Sequence, residues 1–400
     1  MQVKIEKLDN FGRGITYLND KICFVENALP NEVVEIEIIK ENKKLIEAKT
    51  VKIITPSNSR VESICPYSKI CGGCNFQNLD YQEELKYKTE KVKSLISKFT
   101  GLKDIVEDTN YINEYNYRNK ILLHGKDNKL GLYEENTNTI VDIENCLLVN
   151  NKINEIIKVL KEENISISEA LIKTSNNENE VLINIKGKVN NLNKIKELSD
   201  VLIVNDELLT DKSSIITNIG EYKFYCSSNS FFQINKDLTE KLYDEALNIV
   251  KENKPKKLLD LYCGTGTIGI YVSKYANEII GIDYNKSNIE DANKNKELNN
   301  LNNIKFICDK VENKIDTFKD IDMIIVDPPR KGLDQKTKEY LNQIKAKHIV
   351  YISCDPVTFA RDLNDLKEMY EIKQIKPFNM FPKTYHVESV SVLERTNVGK

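Results

Sequence analysis

Long apolar runs are missing from this chain. The longest, such as Val201 to Val204 and Met323 to Val326, fall far short of the roughly 20 residues a membrane helix needs, so no bilayer span is expected. The N-terminus, Met1-Gln-Val-Lys-Ile-Glu, lacks the basic segment and apolar stretch of a secretory signal, and a cytoplasmic location is the expectation. A uniformly basic surface is also missing: 58 Lys and Arg stand against 61 Asp and Glu, a net charge of -3. That excludes binding of nucleic acid by overall charge but leaves ample charge for local basic patches. Nine cysteines without a secretory signal argue against a disulfide scaffold and for metal or catalytic use of some of them.

What is present suits several domains, since 400 residues exceed a single core. Over 1–56, short alternating strands at Val3-Lys-Ile-Glu, Phe11-Gly-Arg-Gly14, Ile22-Cys-Phe-Val25 and Val33 to Ile39 predict a small β-barrel of the oligonucleotide-binding kind. Pro56-Ser-Asn-Ser-Arg60 reads as a linker. Over 57–236 come clustered cysteines, an amphipathic helix from Tyr81 to Phe99, then mixed strands and helices, predicting a central α+β domain. Over 237–400 strands alternate with helices at Leu258 to Leu261, Ile279 to Asp283, Ile304 to Ile307, Met323 to Val326 and His348 to Ile352. This alternation predicts an α/β, doubly wound parallel sheet, with functional groups at the carboxyl ends of its strands.

Asp260-Leu-Tyr262-Cys-Gly264-Thr-Gly266-Thr-Ile-Gly269 follows a strand and precedes a helix, so its glycines allow a tight turn and close approach to a ligand. Asp283 ends the next strand, where a carboxylate accepts hydrogen bonds from a ribose diol. The run also matches the dinucleotide pattern. Three features favour S-adenosylmethionine: Asp260 suits a cationic sulfonium better than a pyrophosphate, Asp309 follows the strand 304–307, and the strand 323–326 runs into Asp327-Pro-Pro-Arg330.

Downstream lie Ser353-Cys354-Asp355-Pro356 and His386-Val-Glu388. A thiolate, a methyl donor and a late carboxylate are the parts needed to methylate a pyrimidine at carbon. Addition of sulfur to carbon 6 of uracil makes an enolate with electron density on carbon 5. After methyl transfer a carboxylate takes the carbon-5 proton so that sulfur can leave. Cys354 is the candidate nucleophile and Glu388 the candidate base, with His386 a candidate hydrogen-bonder. Cys23, Cys226, Cys263 and Cys308 read as inert packing thiols.

Cys65-Pro-Tyr-Ser-Lys-Ile-Cys71-Gly-Gly-Cys74 needs a fourth ligand to complete a metal site, and Cys146 is the best candidate. Thiolates in this number suit zinc or an iron–sulfur cluster, and spacing alone leaves both open.

Taken together, these motifs, with Ser230-Phe-Phe-Gln-Ile-Asn235 and Phe381-Pro-Lys-Thr-Tyr-His-Val-Glu388, resemble the RNA uracil-C5 methyltransferases over nearly the whole chain. The likeness is to the branch that methylates large-subunit ribosomal RNA and carries a TRAM barrel. It implies a [4Fe-4S] cluster on Cys65, Cys71, Cys74 and Cys146, serving RNA recognition. It further implies S-adenosylmethionine contacts from Gln233, Tyr262, Gly264, Asp283, Asp309 and Asp327, with Cys354 as nucleophile and Glu388 as proton acceptor. Thr267, Asp283 and Pro30-Asn31-Glu32 depart from the Asn, Glu and Pro-Gly-Glu common in the family. The barrel is expected to grip single-stranded RNA, with Phe11, Arg13, Tyr17 and Phe24 as candidate contacts, while Phe231 or Phe232 lies near a pocket for a flipped uridine. Rival readings are the same chemistry on transfer RNA and a non-catalytic ribosome-assembly factor. A DNA cytosine methyltransferase would carry Pro-Cys instead of Cys-Asp-Pro, and an amino-directed base methyltransferase an aromatic where Arg330 stands.

Overall fold

Residues 1–396 are described by a computed structural model. Six strands form the N-terminal sheet: β1 (Gln2–Lys4), β2 (Lys7–Leu8), β3 (Gly14–Leu18), β4 (Lys21–Glu26), β5 (Val33–Glu41) and β6 (Leu45–Thr55), in the order β1-β5-β6-β4-β3-β2. The Ile5 N–H donates to the Glu32 carbonyl and the Glu6 N–H to the Ile15 carbonyl, so segment 2–8 bonds both edges and closes the barrel. Val3, Ile5, Cys23, Val25, Val34 and Ile46 fill it. Asn31 takes a left-handed φ of 69°, which explains how Asn replaces Gly at this turn. The buried Glu32 carboxylate then accepts from the Leu29 and Ser57 N–H groups and from Arg60.

Phe11 to Gly14, expected as a strand, is a turn up to Arg13. The Asp9 carboxylate accepts the N–H groups of Phe11 and Arg13 at 2.9 and 2.8 Å, offering the backbone an alternative to the ladder. Gly12 has φ 81°, and a Cβ there would sit 2.7 Å from the Phe76 ring, so the turn lies directly against the segment that follows the barrel.

Helix α1 (Tyr81–Thr100) starts at Asp80, whose carboxylate caps the Gln82 and Glu83 N–H groups, and stops at Gly101 with φ 79°. The central sheet comprises β7 (Lys120–Lys126), β8 (Lys129–Tyr133), β9 (Ile140–Asp142), β10 (Glu169–Thr174), β11 (Val181–Lys186), β12 (Val201–Val204) and β13 (Glu207–Leu208), with order β13-β12-β11-β10-β7-β8-β9. Helices α2 (Asn151–Glu162) and α3 (Leu192–Glu197) bury Ile153, Ile157, Leu160 and Ile195 on it. A hairpin, β14 (Ile215–Ile219) and β15 (Tyr222–Cys226), leads to α4 (Lys236–Asn253).

The C-terminal sheet contains β16 (Lys257–Leu261), β17 (Glu278–Asp283), β18 (Ile304–Cys308), β19 (Met323–Val326), β20 (His348–Ser353), β21 (Tyr370–Phe378) and β22 (Glu388–Arg395), with α5 (Thr267–Val272), α6 (Lys286–Leu298), α7 (Val311–Lys314), α8 (Gln335–Gln343) and α9 (Pro356–Leu366) between them. Its order is β18-β17-β16-β19-β20-β22-β21. The strands β16 to β20 are parallel, and β19 and β20 are buried along their whole length, as their unbroken apolar runs require. The sheet is not parallel throughout, however: β22 runs antiparallel to both β20 and β21.

The boundaries 1–56, 57–236 and 237–400 cut across this packing. Val92, Leu95 and Ile96 of α1 share a core with Leu363, Tyr370 and Ile375, and Ile219 and Phe224 of the hairpin share one with Leu238 and Leu242. Periodicity reveals that a helix has an apolar face without revealing which core receives it. Among the described residues no helix is long and apolar enough to cross a membrane.

Candidate active site

Strand order reverses between β16 and β19, and the loops leaving their carboxyl ends diverge around a cavity of about 790 Å³. The loop after β16 forms its floor. Gly264, at φ 54°, donates its N–H to Asp283 Oδ2 at 3.1 Å, and Gly266, at φ 77°, starts α5. A Cβ on Gly266 would lie 2.5 Å from Phe306, so close packing demands glycine there. Tyr262, two residues before Gly264, has φ 63°, an uncommon conformation for a residue with a side chain, and its ring lines the cavity.

The carboxylates are the distinctive feature. Asp260 is fully buried, Oδ2 accepts the Gly269 N–H at 3.1 Å, and Oδ1 has no partner. Burial, then the nearby Asp327, pushes its pKa up to about 8. Asp327, at the end of β19, is pushed up to about 7 by desolvation. Glu388 is 3% exposed, leaves Oε2 unpaired, and is raised to about 8 by burial and then by Asp327, while the Gln233 side chain works in the opposite direction. Asp260 lies behind the lining, whereas Asp327 and Glu388 face the cavity, and an unpaired Glu388 oxygen in this desolvated acidic cluster fits a positively charged ligand, as the sulfonium of S-adenosylmethionine is.

Cys354 occupies the short turn between β20 and α9. Asp355 caps α9 by accepting the Val357 and Thr358 N–H groups, and Pro356 supplies the first turn, so the Cys-Asp-Pro order is a helix start that leaves the thiol facing the cavity. Burial raises the thiol pKa to about 11, with Glu388 and Asp327 adding to the rise and Arg330 opposing it. Glu388 reaches the same edge by a different route. It is the first residue of an antiparallel strand, and Ser389 pairs with Ser353. The start of β22 therefore coincides with the carboxyl ends of its parallel neighbours.

Gln233, Tyr262, Gly264, Asp283, Asp327, Cys354 and Glu388 all line this cavity, as do Phe231, Phe232 and His386. Burial and the cations Arg330, Lys91 and Lys88 lower the His386 pKa to about 4. Asp283 Oδ1 also accepts from Asn285 and Asn288, so the shorter acid is braced by its own chain. Asp309 departs from expectation. It is outside the lining, with Oδ1 accepting from Lys310 and Asn313 on α7 and its flank, while Lys310, Val311 and Glu312 face the cavity. Two residues that sequence alone gave no means of finding hold the wall in place: Lys173 donates to the Ser227 and Ser230 carbonyls at 2.7 and 2.9 Å, and Asp291 accepts from Ser230 Oγ at 2.8 Å.

Cys65, Cys71, Cys74 and Cys146 line a second cavity, of about 690 Å³, between the barrel-proximal segment and the central sheet. Burial raises the Cys71 and Cys146 pKa values and pushes Cys74 up to about 12, with the neighbouring cysteines contributing. Gly72 is required because a Cβ would lie 2.9 Å from the Glu135 backbone. Among the described residues no three His, Cys, Asp or Glu side chains converge as ligands of one metal ion do. The four thiols nevertheless line one cavity, as ligands gathered from remote segments must. Of the remaining cysteines, Cys23, Cys226 and Cys263 are buried, but Cys308 is exposed.

In the barrel, Arg13 is folded onto Asp9 and the Phe24 ring, and Phe11 packs edge-on against Tyr385 at 5.5 Å. Phe11 and Tyr17 remain exposed.

Comparison with known proteins agrees with this geometry. The family described as tRNA (Uracil-5-)-methyltransferase matches residues 196–396, and the TRAM domain matches residues 1–51. A relative named uncharacterized RNA methyltransferase from Clostridium tetani is 33% identical, covering 96% of this chain and 93% of its own length. One of the same name from Aquifex aeolicus is 34% identical, covering 98% of each. Among solved structures, the tRNA (uracil-54, C5)-methyltransferase of Pyrococcus abyssi, in complex with S-adenosyl-L-homocysteine, aligns with a TM-score of 0.80 at 27% identity, covering 98% of this chain and 99% of its own. An acid-lined cavity at the switch point of the sheet, full-length relatives and a shared fold lead to one conclusion: this chain belongs to the S-adenosylmethionine-dependent RNA uracil-5-methyltransferase family.

Proposed function

We propose that the protein methylates carbon 5 of a specific uridine in large-subunit ribosomal RNA through a covalent adduct between Cys354 and carbon 6. The observation that carries this reading is the meeting of Cys354 and Glu388 on one cavity wall beside Asp327. The Cys354 thiol first gives its proton to solvent, the thiolate then bonds to carbon 6, and the electron pair of the 5,6 double bond becomes an enolate that takes the methyl group at carbon 5. Bound S-adenosylmethionine supplies that methyl group and the positive charge the acidic cluster lacks; Gln233, Tyr262, Gly264, Asp283 and Asp327 would hold it. Glu388 then takes the proton from carbon 5, the double bond re-forms, and the sulfur is released with its electron pair. A target uridine reaches this wall by leaving its stack, and Phe231, exposed at the mouth, offers a face to stack on. Cys65, Cys71, Cys74 and Cys146, which line one cavity, are proposed to hold a [4Fe-4S] cluster, with zinc as the alternative.

A transfer-RNA substrate is favoured by one observation. The Pyrococcus abyssi transfer-RNA enzyme matches along 98% of this chain, so the barrel does not separate the two substrates. Mass mapping of 5-methyluridine in RNA from cells with and without the gene decides. Loss at one or two ribosomal positions is expected; loss confined to transfer RNA overturns the target but keeps the chemistry. Loss nowhere, with no covalent complex on 5-fluorouridine RNA, leaves a non-catalytic binding factor.

A further inference from the structure

Between β21 and β22, residues 379–387 form an irregular segment that carries His386 and delivers Glu388 to the cavity. A turn from the Thr384 N–H to the Phe381 carbonyl shapes it, Asn75, Phe76 and Tyr117 bond its carbonyls from outside, and α1 supplies its buried charged anchors. Lys88, fully buried, donates to Glu84 Oε1 at 2.8 Å, to Asn379 Oδ1 and to the Phe381 carbonyl, and Glu84 accepts the Lys383 N–H. One turn further on, Lys91 is 8% exposed and donates to two carbonyl oxygens, that of Tyr385 at 2.9 Å and that of Asn10 in the barrel at 2.7 Å. Its ammonium also lies 5.3 Å from the centre of the Tyr385 ring. Phe11 abuts that ring from the barrel side, and the Tyr87 hydroxyl donates to the Asp9 carbonyl at 2.8 Å.

Lys91 is costly for a purely structural part. Burial and the neighbouring Lys88 disfavour its charge more than Asp355 and Asp9 favour it, and a hydrophobic side chain of similar length fills such a site at least as well. What the lysine adds is a fixed separation between two chain segments remote in sequence. We propose that Lys91 is a positioning residue. By clamping the barrel turn 9–13 to Tyr385, it sets where His386 and Glu388 stand relative to Cys354. The barrel thereby becomes part of the active-site scaffold, and RNA seated on it is held in register with the base that must take the carbon-5 proton. This inference rests on the assignment of Glu388 given above.

The test uses the full chain, RNA isolated from cells lacking the gene, and three readouts: turnover, covalent protein–RNA adduct, and S-adenosylmethionine affinity with melting temperature. Lys91→Met is expected to lower kcat 10- to 100-fold and to accumulate adduct, with cofactor affinity within twofold and an unchanged or higher melting temperature. Lys91→Arg, which keeps donors for both carbonyls, restores most of kcat. Phe11→Ala, on an exposed side chain, lowers kcat a few fold without affecting folding. Glu388→Gln is run alongside. If it traps adduct while Lys91→Met turns over like the wild type, or loses activity only in step with cofactor binding and melting, the proposal is overturned alone. If Glu388→Gln itself turns over normally, the base assignment fails and takes the proposal with it.

Discussion

Two sets of cysteines, in neighbouring cavities, are both pushed away from ionisation by burial but differ in what surrounds them. Burial dominates at Cys71, Cys74 and Cys146, the neighbouring cysteines add to the rise, and at Cys146 the Arg118 guanidinium opposes it. Cys354 faces Glu388 and Asp327, with Arg330 as the opposing charge. Position next to a helix start does not make a reactive thiolate here, because burial outweighs the one arginine near each site, Arg118 at Cys146 and Arg330 at Cys354. Arg330, Phe381 and His386 line both cavities, so the two form neighbouring stations on one surface.

The sharpest break in that comparison is Cys354→Ala. Turnover falls by on the order of 10⁴-fold or more, while S-adenosylmethionine affinity stays near normal by calorimetry. Normal turnover would remove Cys354 from the chemistry. Glu388→Gln comes next: turnover falls about 10²- to 10⁴-fold and a covalent RNA adduct accumulates on denaturing gels, because elimination waits for proton loss. Cys74→Ser affects the other cavity. On the proposed cluster assignment, iron content is expected to be lost and RNA affinity to fall about 10-fold or more, with cofactor affinity unaltered; retained RNA affinity would make the cavity dispensable for recognition.

The smallest effect is on stability. The folded pKa of Glu388 is about 8, against an ordinary value of 4.5. Stability from the neutral, buried acid is therefore complete below about pH 4.5 and lost as pH rises towards 8. Without cofactor, Glu388→Gln is expected to be more stable than the wild type at pH 8 by on the order of 1–3 kcal/mol, and the gap closes at pH 5. Denaturation at both pH values checks this, and a pH-independent gap would show that Glu388 ionises freely in the fold.

The alternation of apolar runs with helices from Leu258 to Ile352 was legible because strands buried on both faces must be apolar along their length. The Asp260 to Gly269 loop and Cys354 followed from it, since both are local turns after strands. Asp309 misled for the same reason. It follows β18 as a site residue should, but Asn313 and the Lys310 N–H turn it onto α7. The turn at 9–13 was read as strand because Asp9's capture of two N–H groups leaves no mark on the apolar pattern.

By itself the sequence determined the local chemistry: which turns need glycine, which acid caps α9, where a thiol and carboxylates become available, and that four cysteines are too many for packing. Tertiary structure alone decided who meets whom. Strand direction is set by pairing, so only the antiparallel docking of β22 brings Glu388 to Cys354. Only the burial of α1 against the C-terminal sheet lets Lys88 and Lys91 hold the segment before it. Spacing along a chain encodes local hydrogen bonds, whereas contacts between remote segments depend on which apolar faces find each other, and any apolar face satisfies that requirement equally well on paper.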